Sequence, residues 1–452
     1  MATVAIIASL ALKMAVGRWG YSGRGDLPML GDFEAQRHWM EVTLNLPIGD
    51  WYRNTADNDL QYWGLDYPPL TAYVSWAFGV LAQNFYPNLV LLHKSKGYEL
   101  PGGKFFMRFT VLIADAVILT PAIMYSLQSL GQCRLKSPQM TANTDKRMDK
   151  FSSILFPLLC LIGPSNILID HGHFQYNGVC IGLALLGSTS ILEDRDVIGS
   201  IFFCLALNFK QMALYYAPVF FFALLRKCLE KATWQQSALH LAKIGSTVIL
   251  SFAALWWPFC VYSAESETCL SSLLLVLSRQ FPFSRGIFED KVANLWYSAS
   301  VVVDFRKYFS IAQMAQMSLI LTLLLISPIA FDLMRRKIKS TRMILALVNC
   351  SMAFFLASFQ VRHVTERDGG GEGEAKCVLS PLSLSNNILT KYFTANLGAR
   401  EVFVASSNPL YTAPPPPAYT HPLVPGTLPL LYLLPYNKHP NSAAIFATFI
   451  YV

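Results

Sequence analysis

In the stretch NDLQYWGLDYPPLTAYVSW, residues 58–76, Asp66 is set against the rigid run Tyr67-Pro68-Pro69. Pro68 biases Tyr67 towards extended backbone, and a proline pair suits the first turn of a helix. The carboxylate is therefore expected just ahead of a helix N-terminus, where the helix dipole favours its ionised form. Such a side chain can act as an N-cap or as a general base, and it does both only if one oxygen stays available.

Four other constellations carry chemistry. GDFEAQRHWME contains Asp32, Glu34, Arg37, His38 and Glu41, and spacings of three and four put Glu34, Arg37, His38 and Glu41 on one helical face. That face is either a solvated ion-pair network or an acidic and basic rim for a polar substrate. Trp39, Trp51, Tyr52, Tyr62 and Trp63 follow; amphipathic aromatics serve as interfacial anchors or as platforms for sugars. DHGHFQYNG packs Asp170, His171, His173, Gln175 and Asn177 into a polar turn between apolar runs. So many polar groups at a membrane boundary are costly unless wet or paired, which points to a site. His171 and His173 raise the question of zinc, but their spacing is no standard motif and no third ligand is evident. Lys210, in LNFKQMALYYAPVFF, is an ionisable group in an apolar stretch, either functional or snorkelling to an interface. Finally, SRQFPFSRGIFEDKVANLW sets Arg279, Arg285 and Lys291 among Phe281, Phe283 and Phe288. Cations on an aromatic scaffold suit a phosphate at the lipid boundary, whether substrate or head group.

The elements that must hold these groups are membrane helices. The chain has 452 residues, of which 53% are hydrophobic and 14% charged, too apolar for an ordinary soluble surface. A bilayer core takes about 20 apolar residues per helix, and such windows recur at 107–129, 151–169, 176–192, 241–263, 313–334 and 343–360. The window 1–17 contains Lys13 and lacks a basic start and a small-residue cleavage site, so it reads as a first helix. The net charge of +8 is a topology signal rather than one for nucleic acid. Lys and Arg cluster at Arg134–Lys150, at Arg195, at Arg226–Lys243 and at Arg335–Arg342, and these loops are expected to be cytoplasmic. Segments 18–106, 170–176 and 262–312 then share the opposite side as the working surface.

This parity makes Ala72–Leu92 a helix along the membrane surface rather than a span. It also demands two crossings between 198 and 225, a stretch that suits two short or broken helices meeting near Lys210. The nine cysteines form no CxxC pair and no disulfide framework; only Cys260 and Cys269 share a loop closely enough to pair. The sequon at Asn349 falls inside a span, out of reach of glycosylation. No inverted repeat of the transporter kind is visible. From Arg362 the composition turns rich in Gly, Ser and Pro, as expected of a disordered tail over 362–452.

Taken in order, GDFEAQRHWMEVTLNLP, YWGLDYPPLTAY, DHGHFQYNG, FKQMALYYAPVFF and FPFSRGIFEDKVAN resemble the dolichyl-phosphate-glucose-dependent glucosyltransferases of asparagine-linked glycosylation. Within that family the resemblance is to the branch that adds the first glucose to the nine-mannose lipid-linked oligosaccharide, and it covers about residues 18–361. It implies a GT-C fold in the endoplasmic reticulum membrane, an active site on the lumenal side, and a reaction that needs no metal or other cofactor. The partners it implies are dolichyl phosphate glucose, the dolichyl-diphosphate-linked oligosaccharide and the bilayer. It also places the base at Asp66, with transfer in α-1,3 linkage and inversion at the donor carbon. Asp32, Glu34, Arg37, His38, Trp63, Tyr67, His171, His173, Gln175, Asn177, Lys210, Arg279, Arg285 and Lys291 are the expected substrate contacts.

The expected organisation is a GT-C catalytic region over 1–361, with large lumenal loops at 18–106 and 262–312. Family members continue past FFLxSFQV with a His-Glu-Lys stretch and further helices, whereas here Val361 is followed by Arg-His-Val and the tail. His363 is therefore not equated with the family histidine, and part of the phosphate-binding wall is expected to be missing. The alternatives are the sister enzyme for the second glucose, a catalytically dead truncated form, and a membrane transporter.

Overall fold

The structure, a computed structural model, describes residues 2–135, 157–262, 268–281, 294–300 and 302–357. Arg285, Lys291, most of the first basic loop and the tail 362–452 lie outside the described residues. Within them all regular structure is helical: α1 (Ala2–Val16), α2 (Gly31–Asn45), α3 (Pro69–Phe85), α4 (Pro101–Ala114), α5 (Thr120–Leu135), α6 (Asn177–Leu192), α7 (Asp196–Phe209), α8 (Ala217–Leu229), α9 (Trp234–Val261), α10 (Cys269–Gln280), α11 (Ile311–Arg335) and α12 (Ser340–Ala357), with shorter turns between. Among the described residues five stretches are long and apolar enough to cross a membrane: 101–130, 211–229, 234–261, 311–335 and 340–357.

Among the described residues the windows 107–129, 176–192 and 313–334 are helical almost throughout, as expected where only a helix satisfies its own backbone groups in a bilayer. The main core gathers α4 to α8 and α12, with Val111, Leu119, Ala184, Phe209, Phe220 and Cys350 among its buried side chains. Between 198 and 225 the chain breaks at Lys210, whose φ of −147° and ψ of 129° are extended. A 3-10 segment, Gln211–Tyr216, follows before α8 resumes with a proline in its first turn.

For Ala72–Leu92 the structure shows a shorter helix with one face packed on protein. α3 stops at Phe85 ahead of Pro87 and buries Thr71, Ala72, Ser75, Gly79 and Ala82 along one stripe, at the spacing of a helix face packed on protein. That face meets α2 and α7, so α3 is part of the scaffold of the first loop.

Lys13, met in the sequence only as a stray charge, is fully buried and lies 2.6 Å from Asp115, which sits in a π-helical turn joining α4 to α5. His171 Nε2 is 2.8 Å from the same carboxylate oxygen. Gly178, at the start of α6, leaves room for this pairing: a Cβ there would stand 2.3 Å from Asp115 Oδ1 and 3.2 Å from Leu119 Cδ2. Gly178→Ala is therefore expected to lower stability by about 1–3 kcal/mol, the usual cost of overpacking. Thermal unfolding of the detergent-purified variant measures it.

Candidate active site

The GDFEAQRHWME stretch forms α2, and its charged face turns inward. Arg37 is wholly buried and donates to Glu34 at 2.6 and 2.8 Å, to Glu41 at 2.6 Å and to the Leu89 carbonyl at 2.8 Å. Tyr62 Oη and the Gly97 N–H also donate to Glu34, and the His93 N–H donates to Glu41. This corrects the solvated reading of the face: the ion pairs form an internal knot tying α2 to the loops at 62, 89, 93 and 97. His38 is buried too, with its ring edge-on to Tyr62.

Burial pushes the Glu41 carboxyl up, but the nearby His38 ring, 3.7 Å away, and the charge and hydrogen bonds of Arg37 outweigh it, leaving Glu41 below the usual range. A depressed carboxyl contributes stability that is complete above the unfolded value and is lost as pH falls through the folded one. The melting temperature is therefore expected to hold down to about pH 4.5, the ordinary value, and to decline below it in a pH series of thermal melts.

Asp32, on the same helix, points elsewhere. It accepts a hydrogen bond from Gln175 Nε2, and its Oδ2 lies 2.9 Å from His173 Nε2. Lys210 Nζ, freed from helical geometry by the break, donates to Gln175 Oε1 at 2.8 Å and to Asn177 Oδ1 at 2.5 Å. Asn177 in turn donates to Asp170, a fully buried carboxylate that also takes the Gly178 N–H. Snorkelling is thus not what Lys210 does: its ammonium is buried in this network, 5.0 Å from the centre of the Tyr67 ring. Gln36, Tyr67, Thr71, Tyr176, Phe209 and Lys210 line a small cavity there. His171 and His173 diverge, one to Asp115 and the other to Asp32, so they do not converge on one ion.

Asp66 lies half-buried between the buried Leu65 and Tyr67. Pro68, not Asp66, is the N-cap of α3, and it makes no side-chain cap bond, so the N-cap reading is corrected. Asp66 stands two residues ahead of that N-cap, close to the helix dipole and set by the extended Pro68 backbone. Tyr52 donates to the Tyr67 carbonyl at 2.6 Å. Burial, then Tyr73 and the charge of Asp66, push the Tyr52 hydroxyl well above its ordinary value, so it remains a donor. Trp63 Nε1 donates to the Met29 carbonyl, which fixes the indole inside the loop.

Arg279, from the last turn of α10, reaches across to this loop and donates to the Gly64 carbonyl at 3.2 Å and the Leu65 carbonyl at 3.4 Å. α10 is tied to the end of α9 by a disulfide between Cys260 and Cys269, the one pairing that the spacing allowed.

Asp66, Tyr67, Asp32, Gln175, Asn177, Lys210 and Arg279 are thus gathered from four separated parts of the chain, the first loop, 175–177, Lys210 and the end of α10, while Glu34 and Arg37 are tied into the scaffold. Residues with no signal of their own are Gln36, on the cavity wall, and Lys13 and Asp115, whose pairing spans 102 positions.

Residues 9–364 match the ALG6, ALG8 glycosyltransferase family. The chain belongs to that family. Among curated relatives of this glycosyltransferase family, the chain is 42% identical over 364 residues to a probable dolichyl pyrophosphate Man9GlcNAc2 alpha-1,3-glucosyltransferase of Dictyostelium discoideum, covering 80% of this chain and 66% of that protein. It is 44% identical over 360 residues to the Gallus gallus dolichyl pyrophosphate Man9GlcNAc2 alpha-1,3-glucosyltransferase, covering 79% and 66%. The Saccharomyces cerevisiae protein of that name is 40% identical over 366 residues, covering 80% and 63%. The chain spans about two thirds of the length of these relatives. Every described site residue falls inside the matched region, and the all-α membrane architecture fits the GT-C family.

Proposed function

We propose that the chain transfers glucose from dolichyl phosphate glucose to a terminal mannose of the dolichyl-diphosphate-linked nine-mannose oligosaccharide, on the lumenal side of the endoplasmic reticulum membrane. The observation that carries this reading is the relatives' shared name, Man9GlcNAc2 alpha-1,3-glucosyltransferase, at 40–44% identity across the segment that builds the site. The disulfide beside that site supports the lumenal side, because disulfides persist in oxidising compartments.

Phosphate leaves readily from the donor sugar, so the reaction needs no general acid. Cations suffice to stabilise the departing dolichyl phosphate; Lys210 is a buried cation 5.0 Å from the centre of the Tyr67 ring. What remains is to take the proton from the mannose hydroxyl as it attacks, and Asp66 does this as general base. Attack from the face opposite the phosphate inverts the β-linked donor to an α product, without the nucleophilic carboxylate of retaining glycosidases. No metal enters this scheme.

A second reading is transfer of the second glucose, since the family includes both branches. The test is expression in cells lacking either glucosyltransferase, scored by the glucose content of the lipid-linked oligosaccharide. Rescue of the first-glucose defect supports the proposal and rescue of the second supports its sister. Rescue of neither leaves a non-catalytic family member, and dolichol-independent flux through proteoliposomes points to a transporter.

A further inference from the structure

We propose that Arg279 is a positioning residue for Asp66, held in place by the Cys260–Cys269 bridge, and that it does not bind the donor phosphate. This rests on the reading of Asp66 as the base.

The loop carrying Asp66 has no ladder of its own, so its backbone carbonyls need partners from elsewhere. Trp39 Nε1, on α2, donates to the Trp63 carbonyl at 2.8 Å. Arg279 donates to the next two, and Tyr52 to that of Tyr67. Four carbonyls flanking the carboxylate are thus held by three side chains. Trp39 and Tyr52 belong to the same first loop, whereas Arg279 lies more than 210 positions along the chain.

The packing repeats this arrangement. Leu65 and Tyr67, on either side of Asp66, share one buried cluster with Phe259 of α9 and Val276 of α10. Gly64 is required at its position because a Cβ would stand 2.7 Å from Leu60 Cα and 2.8 Å from Arg279 Nη2. The guanidinium therefore lies tight against the loop backbone, its fork spread over two adjacent carbonyls, a task its geometry suits and a lysine's does not. α10 has 12 residues, with the disulfide at its first residue and Arg279 in its last turn. Through the bridge, the base of α10 is fixed to a membrane helix, and its tip sets the height of Asp66.

Hydrogen–deuterium exchange of residues 60–68 in the purified full chain, alongside steady-state transfer kinetics, tests the proposal. Arg279→Met is expected to raise exchange in that segment. It should lower kcat by about 10–100-fold, as small misplacements of a catalytic group do, with the KM for dolichyl phosphate glucose almost unchanged. Arg279→Lys should recover only part of either effect, and reduction of the bridge in the wild-type chain should reproduce them in milder form. Unchanged exchange in Arg279→Met, or a raised donor KM fully restored by lysine, would assign Arg279 to the phosphate and overturn the proposal. Unchanged exchange on reduction would remove the bridge from it. Asp66→Asn is run in parallel: normal turnover there defeats the reading of the base, while the exchange data still judge the clamp.

Discussion

Asp66→Asn is expected to leave a folded protein whose glucose transfer is reduced by about 10²–10⁴-fold, the usual contribution of a well-placed base. Asparagine keeps the shape of the carboxylate and removes its charge and basicity, so the substitution separates chemistry from architecture. The structure gives a reason to expect folding to survive. Pro68 fills the N-cap position of α3 without a side-chain bond, so the helix does not begin on Asp66. The loop is also held through the carbonyls of Trp63, Gly64, Leu65 and Tyr67, which the substitution leaves intact. Transfer rates with synthetic donor and acceptor, beside a melting curve, read both halves of the expectation.

Arg37→Met has the opposite character: it should act on folding first. Its guanidinium is fully buried between Glu34 and Glu41. Removing it leaves two carboxylates facing each other without a counter-charge, and breaking a buried pair in this way costs about 3–5 kcal/mol. The Leu89 carbonyl loses its donor as well, which loosens the loop after α3. A domain's whole stability is only about 5–15 kcal/mol, so poor yield and a melting temperature lower by many degrees are expected. Neutralising the acids together, as Glu34→Gln/Arg37→Met/Glu41→Gln, should recover part of the loss, because the unpaired charges are then gone. A triple variant no more stable than Arg37→Met would mean that the guanidinium matters chiefly through its volume and its bond to Leu89.

The contrast between these two residues shows what was legible in the sequence. The break at Lys210 could be read from topology, since basic loops on both sides required two crossings where the length allowed little more than one. The Asp66 loop could be read from Pro68 and Pro69, whose backbone limits hold in any context. The direction of the α2 face could not. Spacings of three and four bring Glu34, Arg37 and Glu41 together whether the face looks at water or at protein. What decides is the set of partners at Tyr62, Leu89, His93 and Gly97, which no local pattern contains. Lys13 and Asp115 were opaque for the same reason: each reads as an isolated charge in an apolar window until α1 is packed beside α4. Arg279 stood out in the sequence as a cation among aromatics, but its distance from the Asp66 loop hid that it donates to the backbone carbonyls of Gly64 and Leu65.

The most direct test is to incubate the purified full chain and its Asp66→Asn variant with dolichyl phosphate glucose and the nine-mannose lipid-linked acceptor, then to count the hexoses on the product and assign their linkage. One added glucose in α-1,3 linkage from the wild-type chain, and none from an equally stable variant, is the expected result. Equal yields from both, or a product retaining the donor's β configuration, would contradict it.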